Sequence, residues 1–203
     1  RAGLFRRRDR RQTPVRIAGR DVALVARIAA LVATPYYHPF GVADAVGVEV
    51  CAALKNAYAM GVAFGAGLHE RAGGVPGSVA LHNHEAAVFA QSIHELQQLV
   101  GALGGDPATA AGLAGVGDLD VTCNGGRTGR FGRLLGTGIG VARARAALPG
   151  VTLECLEILA VLRAALPKLE RTGRLAPRDL PLLRHLAAVA LDDAPVDVPF
   201  GRF

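Results

Sequence analysis

Lys55 stands among apolar neighbours, Val48, Val50, Cys51, Leu54 and Tyr58, in a stretch with helical spacing. An amine buried there has its charged form disfavoured. Its pKa falls, and it can carry a proton near neutral pH. The same spacing also lets the side chain snorkel to solvent. Lys55 and Lys168 are the only lysines in a chain otherwise rich in arginine, which singles out Lys55. Asp118, Thr122 and Arg127 form a second group in a glycine-rich stretch, where backbone can approach a ligand closely. An arginine there can fork a phosphate, and threonine and backbone N–H groups add donors. The plainer reading is a capped turn with a surface arginine. Glu154 and Glu157, at i and i+3 on one helix face, suit either acid–base work or simple solvation.

Other patterns carry less. Gly136, Gly138 and Gly140 imitate a dinucleotide loop, but the preceding Arg130–Leu135 is not a β-branched strand. A helix end and turn explains them. His82 and His84 lie two apart, so on a helix they point in different directions, and no further ligand is evident. No metal site is expected. Cys51, Cys123 and Cys155 are an odd number at wide spacing, which argues for reduced thiols over a disulfide framework.

The chain has 203 residues, 51% of them hydrophobic, enough for a sizeable core. No apolar run reaches the ~18 residues that a membrane helix needs. No signal-peptide pattern appears either, so a cytoplasmic location is expected. The net charge of +6 is concentrated in Arg1, Arg6, Arg7, Arg8, Arg10 and Arg11, read as a solvated arm. Nucleic-acid binding is not expected, because the body has no basic stripe interleaved with aromatics and no Trp.

The candidate residues need elements to hold them. Val15–Ala18 and Tyr36–Phe40 read as short extended pieces flanking a helix over Asp21–Ala33, with Val22, Val25, Ile28, Ala29 and Val32 as its apolar stripe. Ala43 to His69 reads as a long helix, apolar nearly all round and therefore buried, whose Gly61, Gly65 and Gly67 call for a closely packed neighbour. Ser78 caps a helix to Leu103, ended by Gly104 and Gly105. Asp106-Pro107 starts a short helix to Ala114, and Gly115–Gly129 reads as a connector. Helix resumes near Arg130, then spans Thr152–Leu166 and Leu180–Leu191.

Thr34-Pro35-Tyr36, Gly47–Asn56 with its Leu54-Lys55-Asn56, Gly112–Leu119, Val121-Thr122-Cys123 and Gly125-Gly126-Arg127 together resemble the C-terminal domain of NAD(P)-dependent glycerol-3-phosphate dehydrogenases. The resemblance implies a mainly α fold, like the C-terminal domain of 6-phosphogluconate dehydrogenase, with a small β/α remnant before it. Residues 1–40 would be the basic arm and the remnant of a dinucleotide-binding domain, and 41–203 the helical substrate-binding domain. Lys55 takes the catalytic place, as general acid/base at the C2 oxygen. Asn56, Asp118, Thr122, Arg127 and Thr128 take the substrate-binding places, and Arg127 and Glu154 those of cofactor contacts. The cofactor would be NAD or NADP, the partner a small phosphorylated substrate, the assembly a homodimer. The family's Asn after Arg127 is Thr128 here, and its Asp-Asn-Thr-Lys segment is His82-Asn83-His84-Glu85. Without a Rossmann domain the chain alone is expected to be inactive. Two alternatives stand: a related dehydrogenase for another phosphorylated or 3-hydroxy acid substrate, or a non-catalytic helical domain for dimerisation or ligand binding.

Overall fold

A computed structural model describes residues 12–203; the arginine-rich start lies outside the described residues. Strand β1 (Thr13–Ala18) pairs in parallel with β2 (Tyr37–Val42), in register from Thr13 opposite Tyr37 to Ala18 opposite Val42. Helix α1 (Val22–Val32) makes the crossover, its first turn capped by Asp21, whose side chain accepts from the Leu24 N–H at 2.9 Å. The expected apolar stripe is only partly buried. Val25 and Ala29 face the sheet, but Val22, Leu24, Ile28 and Val32 stay exposed, and Leu31 is 82% exposed. Two strands are too narrow to cover a helix face whose residues spread around the cylinder.

The rest is helical and organised around α2 (Ala45–Arg71). Its first half is one-sided, with Glu49, Ala52 and Ala53 exposed, while Ala57 to Val62 is buried all round. Helices α3 (His82–Leu103), α4 (Asp118–Cys123), α5 (Arg127–Gly136), α7 (Glu154–Arg171) and α8 (Pro181–Asp192) pack against it. A short α6 (Val141–Ala146), which the sequence reading did not anticipate, bridges α5 and α8. The closest approach is between α2 and α5. A Cβ on Gly67 would meet the Arg133 carbonyl oxygen at 2.0 Å, and one on Gly132 would meet that of Met60 at 2.2 Å. Gly136 likewise lies against the Phe64 carbonyl. Gly67 of α2, with Gly132 and Gly136 of α5, thus lets two backbones touch, while Gly61 and Gly65 make room for the Leu186 and His84 side chains.

Two long-range caps tie the bundle. Asp44 accepts from the Gly47 N–H (2.9 Å), the Asp106 N–H (3.1 Å) and the Thr109 hydroxyl (2.5 Å), joining the start of α2 to the turn that follows α3. Burial pushes its carboxyl up, but the bonds from Thr109, Gly47 and Asp106 outweigh this and hold it below its ordinary value. Glu95, fully buried on α3, accepts from the Tyr58 hydroxyl (3.1 Å), the Gln91 amide (3.0 Å) and the N–H groups of Leu182 (2.7 Å) and Leu183 (2.8 Å). It caps α8 from another helix, since Leu180, at φ 60°, offers no cap of its own. Burial raises the Glu95 pKa more than its four donors lower it.

Three expectations need correction. The helix predicted to reach Ala114 is a 3-10 turn, Pro107–Ala111, followed by a π-helical turn, Leu113–Gly117. The stretch Gly115–Gly129 is largely helical, because the π turn hands directly to α4, and α5 begins at Arg127. Finally, α7 runs through Pro167 to Arg171. The backbone bond lost at the proline falls near exposed Arg163, where water can satisfy the carbonyl, while Leu166 and Leu169 stay buried.

Candidate active site

Four segments converge at the exposed side of the first half of α2. Lys55 and Asn56 come from α2, Asp118 from the first residue of α4, Arg127 from the first residue of α5 and Glu154 from the first residue of α7. Lys55 Nζ donates to Asp118 Oδ2 at 2.7 Å. Asn56 Nδ2 donates to Glu154 Oε2 at 2.6 Å, and an Arg127 guanidinium N–H donates to Glu154 Oε1 at 3.5 Å. Two cations and two carboxylates therefore share one surface, together with a neutral amide donor.

The desolvated lysine that the apolar neighbours suggested is not found. Lys55 points to the open side of α2, its side chain 28% exposed and paired with Asp118, itself 36% exposed. Its buried neighbours Leu54, Ala57 and Tyr58 face the core instead. Neither a fully buried amine nor a free snorkelling one describes it. It is a half-covered lysine fixed by a carboxylate.

The π turn explains why Asp118 is available. The Gly117 N–H reaches back to the Gly112 carbonyl at 3.3 Å, five residues away. Only glycine fits at Gly115, where a Cβ would lie 1.9 Å from the Ala110 carbonyl oxygen. Thr122, one turn into α4, donates its hydroxyl to the Asp118 carbonyl at 2.6 Å. Helix α5 begins after Gly125 (φ 155°) and Gly126 (φ 100°), and no side chain caps it. Its first N–H groups are thus left for water or an anion beside Arg127. Beside Asp118, a cleft of about 480 Å³ runs between β1 and the helical body, lined by Thr13, Val15, Arg16, Val48 and Ala52.

Not every sequence candidate gathers here. Thr128 is buried in α5, and Glu157 is exposed one turn further along α7. His84 is a packing residue, edge-on to Phe200 at 5.2 Å, and burial lowers its pKa. No group of three or more potential metal ligands occurs among the described residues. Gly136–Gly140 is the end of α5 and a turn, as its context implied. The cysteines are free, and burial pushes Cys51 and Cys155 up to about 11 and Cys123 up to about 12. No helix is long and apolar enough to cross a membrane among the described residues. The Asn56–Glu154 bond spans 98 positions, and nothing in local spacing announces it.

Residues 44–199 match the family model described as NAD-dependent glycerol-3-phosphate dehydrogenase C-terminus. A glycerol-3-phosphate dehydrogenase [NAD(P)+] of Geobacter metallireducens is 33% identical over 190 residues, covering 90% of this chain and 50% of that protein. An NADP(+)-dependent glycerol-3-phosphate dehydrogenase of Archaeoglobus fulgidus is 37% identical over 111 residues, covering 55% of this chain and 32% of its own length. The crystal structure of glycerol-3-phosphate dehydrogenase from Coxiella burnetii superposes with a TM-score of 0.74 at 27% identity, over 91% of this chain and 52% of that one. The chain spans about half the length, or less, of the relatives it matches.

Proposed function

Since the chain belongs to the NAD-dependent glycerol-3-phosphate dehydrogenase family and carries that family's C-terminal domain, we propose that it is the substrate-binding half of an enzyme interconverting glycerol 3-phosphate and dihydroxyacetone phosphate. The observation that carries this is the Lys55–Asp118 pair at 2.7 Å, with Asn56 and Arg127 on the same surface. NAD or NADP supplies the hydride chemistry when bound. Lys55 gives or takes the proton at the C2 oxygen, and Asp118 aims its amine. Arg127 and the uncapped start of α5 hold the phosphate, which a guanidinium fork and helix N–H groups suit. Asn56 and Thr122 orient the hydroxyls. Arg127 and Glu154, both about half exposed, are placed to reach a cofactor at the rim.

The division into a β/α part and a helical part belongs to the same reading, with the boundary expected at residue 40 moved past the end of β2 at Val42. The exposed apolar residues of α1 and Phe40 on β2 support it, because a larger sheet would cover them. A homodimer and a cytoplasmic location complete the proposal; free cysteines suit a reducing compartment. A second reading, in which another phosphorylated substrate is preferred, rests on Thr128 standing where the family has Asn; its side chain is buried, so it would act only by shaping the uncapped first turn of α5.

Calorimetry on the pure chain tests the site. Glycerol 3-phosphate should bind, and Arg127→Ala should weaken binding by about ten- to a hundredfold, as expected for losing a charge-assisted phosphate contact of about 1.5–3 kcal/mol. Binding unchanged by the substitution sinks the assignment. Tighter binding of a different phosphate ester in a substrate panel would move it to the second reading.

A further inference from the structure

Resting on that reading, we infer that Glu154 is a built-in stand-in anion, which occupies the substrate donors Asn56 and Arg127 until a phosphorylated ligand displaces it. Glu154 stands one residue into α7, and its two oxygens are divided between two partners from other helices. Oε2 accepts from Asn56 at 2.6 Å, and Oε1 accepts from Arg127 at 3.5 Å. Both partners are donors that a phosphorylated polyol would need, and a carboxylate satisfies them with the same chemistry that a phosphate oxygen would.

Charge makes the same point. Lys55 and Arg127 bring two positive charges, Asp118 and Glu154 two negative ones, and the surface is locally neutral. A phosphate monoester carries about −1.5 to −2 near pH 7, so the side-chain charges offer it no net attraction beyond the start of α5 until one carboxylate moves away. Asp118 is held to Lys55 at 2.7 Å and is the carboxylate that aims the amine. Glu154 is the one freer to leave, because its short bond, 2.6 Å, is to a neutral amide, Asn56, that a ligand oxygen can equally satisfy. Its ion pair with Arg127 is long, and both side chains are about half exposed, at 50% and 53%. An ion pair of that kind is weakly held, which is what a displaceable placeholder requires. The arrangement keeps Asn56 and Arg127 pointed at the site while it is empty, and exchanges one anion for another on binding. Glu154 is thus a positioning residue that sets affinity by competition.

The test compares the full 203-residue chain with Glu154→Gln, titrated with glycerol 3-phosphate and, as a probe of charge alone, inorganic phosphate. Glutamine keeps an acceptor for Asn56 and removes the competing charge. Binding of both anions should tighten about two- to fivefold, the range that an exposed ion pair of this kind can oppose. The gain should shrink between 0.05 and 0.5 M salt, because the groups are exposed, which a merely structural role would not produce. Binding that appears only in the variant also supports the inference. If the wild-type chain binds and the variant binds equally or more weakly, the stand-in is refuted while the site assignment survives. If neither binds, both fall together.

Discussion

Two glycines three residues apart on α5 should respond to the same substitution with opposite signs. At Gly132 an added Cβ would lie 2.2 Å from the Met60 carbonyl oxygen and 3.1 Å from the Ala63 Cβ. Ordinary contact is about 3.4 Å or more, so α2 and α5 must separate by about 1 Å, and the obstacle is backbone, not a movable side chain. Overpacking of that kind costs about 1–3 kcal/mol and in backbone contact tends to the upper end, while the alanine returns up to ~1 kcal/mol of helix propensity. Gly132→Ala should therefore be about 2 kcal/mol less stable than wild type, or roughly 4–8 °C in Tm for a chain of this size. At Gly129 nothing lies within 4 Å of the added carbon. Gly129→Ala should be stabilising by a few tenths to ~1 kcal/mol. Urea denaturation and thermal melts of both variants decide it. If Gly132→Ala is as stable as Gly129→Ala, the two helices are not in backbone contact, and the placement of Arg127 relative to Lys55 loses its basis.

Glu95→Gln sets an NH2 group, which cannot accept, opposite either the Leu182 or the Leu183 N–H, so about 1–3 kcal/mol should be lost in a denaturant titration; a neutral result would mean that α8 finds its cap elsewhere. Asp44→Asn keeps one oxygen to cap Gly47 but loses the second acceptor, which serves the Asp106 N–H and the Thr109 hydroxyl, and should cost ~1 kcal/mol at pH 7. The folded Asp44 carboxyl lies below its ordinary 3.8, so its stabilisation is complete above that value and is lost as pH falls through the folded value. The wild-type advantage should thus narrow below about pH 4, and an advantage that stays constant down to the acid limb would refute the hydrogen-bonded cap.

Helix existence is legible from this sequence wherever a cap or breaker is local. Asp21 and Gly104 mark real α-helix ends, whereas Ser78 and Asp106-Pro107, expected to start α-helices, cap 3-10 turns, Val79–Leu81 before α3 and Pro107–Ala111. The stretch from Leu113 to Gly126 is not, because a π turn and a six-residue helix are held by close packing against Ala110 and α2, and glycine composition there reads as a loop. The site divides in the same way. Lys55, Asp118, Thr122 and Arg127 stand out by type and neighbours, but whether Lys55 is buried depends on which side of α2 is covered, and that is decided by α4 and α5. The partner of Asn56 is settled only when the start of α7 arrives, and the exposed stripe of α1 depends on how wide a sheet it meets.

Glu95 has a consequence for how the chain is made. The carboxylate is synthesised 87 residues before the first amide of α8 that it serves. Until then it waits on α3, a charge destined for an interior that cannot yet accept it. A nascent chain released before Pro181 would hold that carboxylate in an apolar core with only Tyr58 and Gln91 to satisfy it. The last helix is therefore no optional appendage. Its arrival licenses the closure of the core around α2 and α3, so the two ends of the helical body become a single cooperative unit, in which shortening one end is felt at the other.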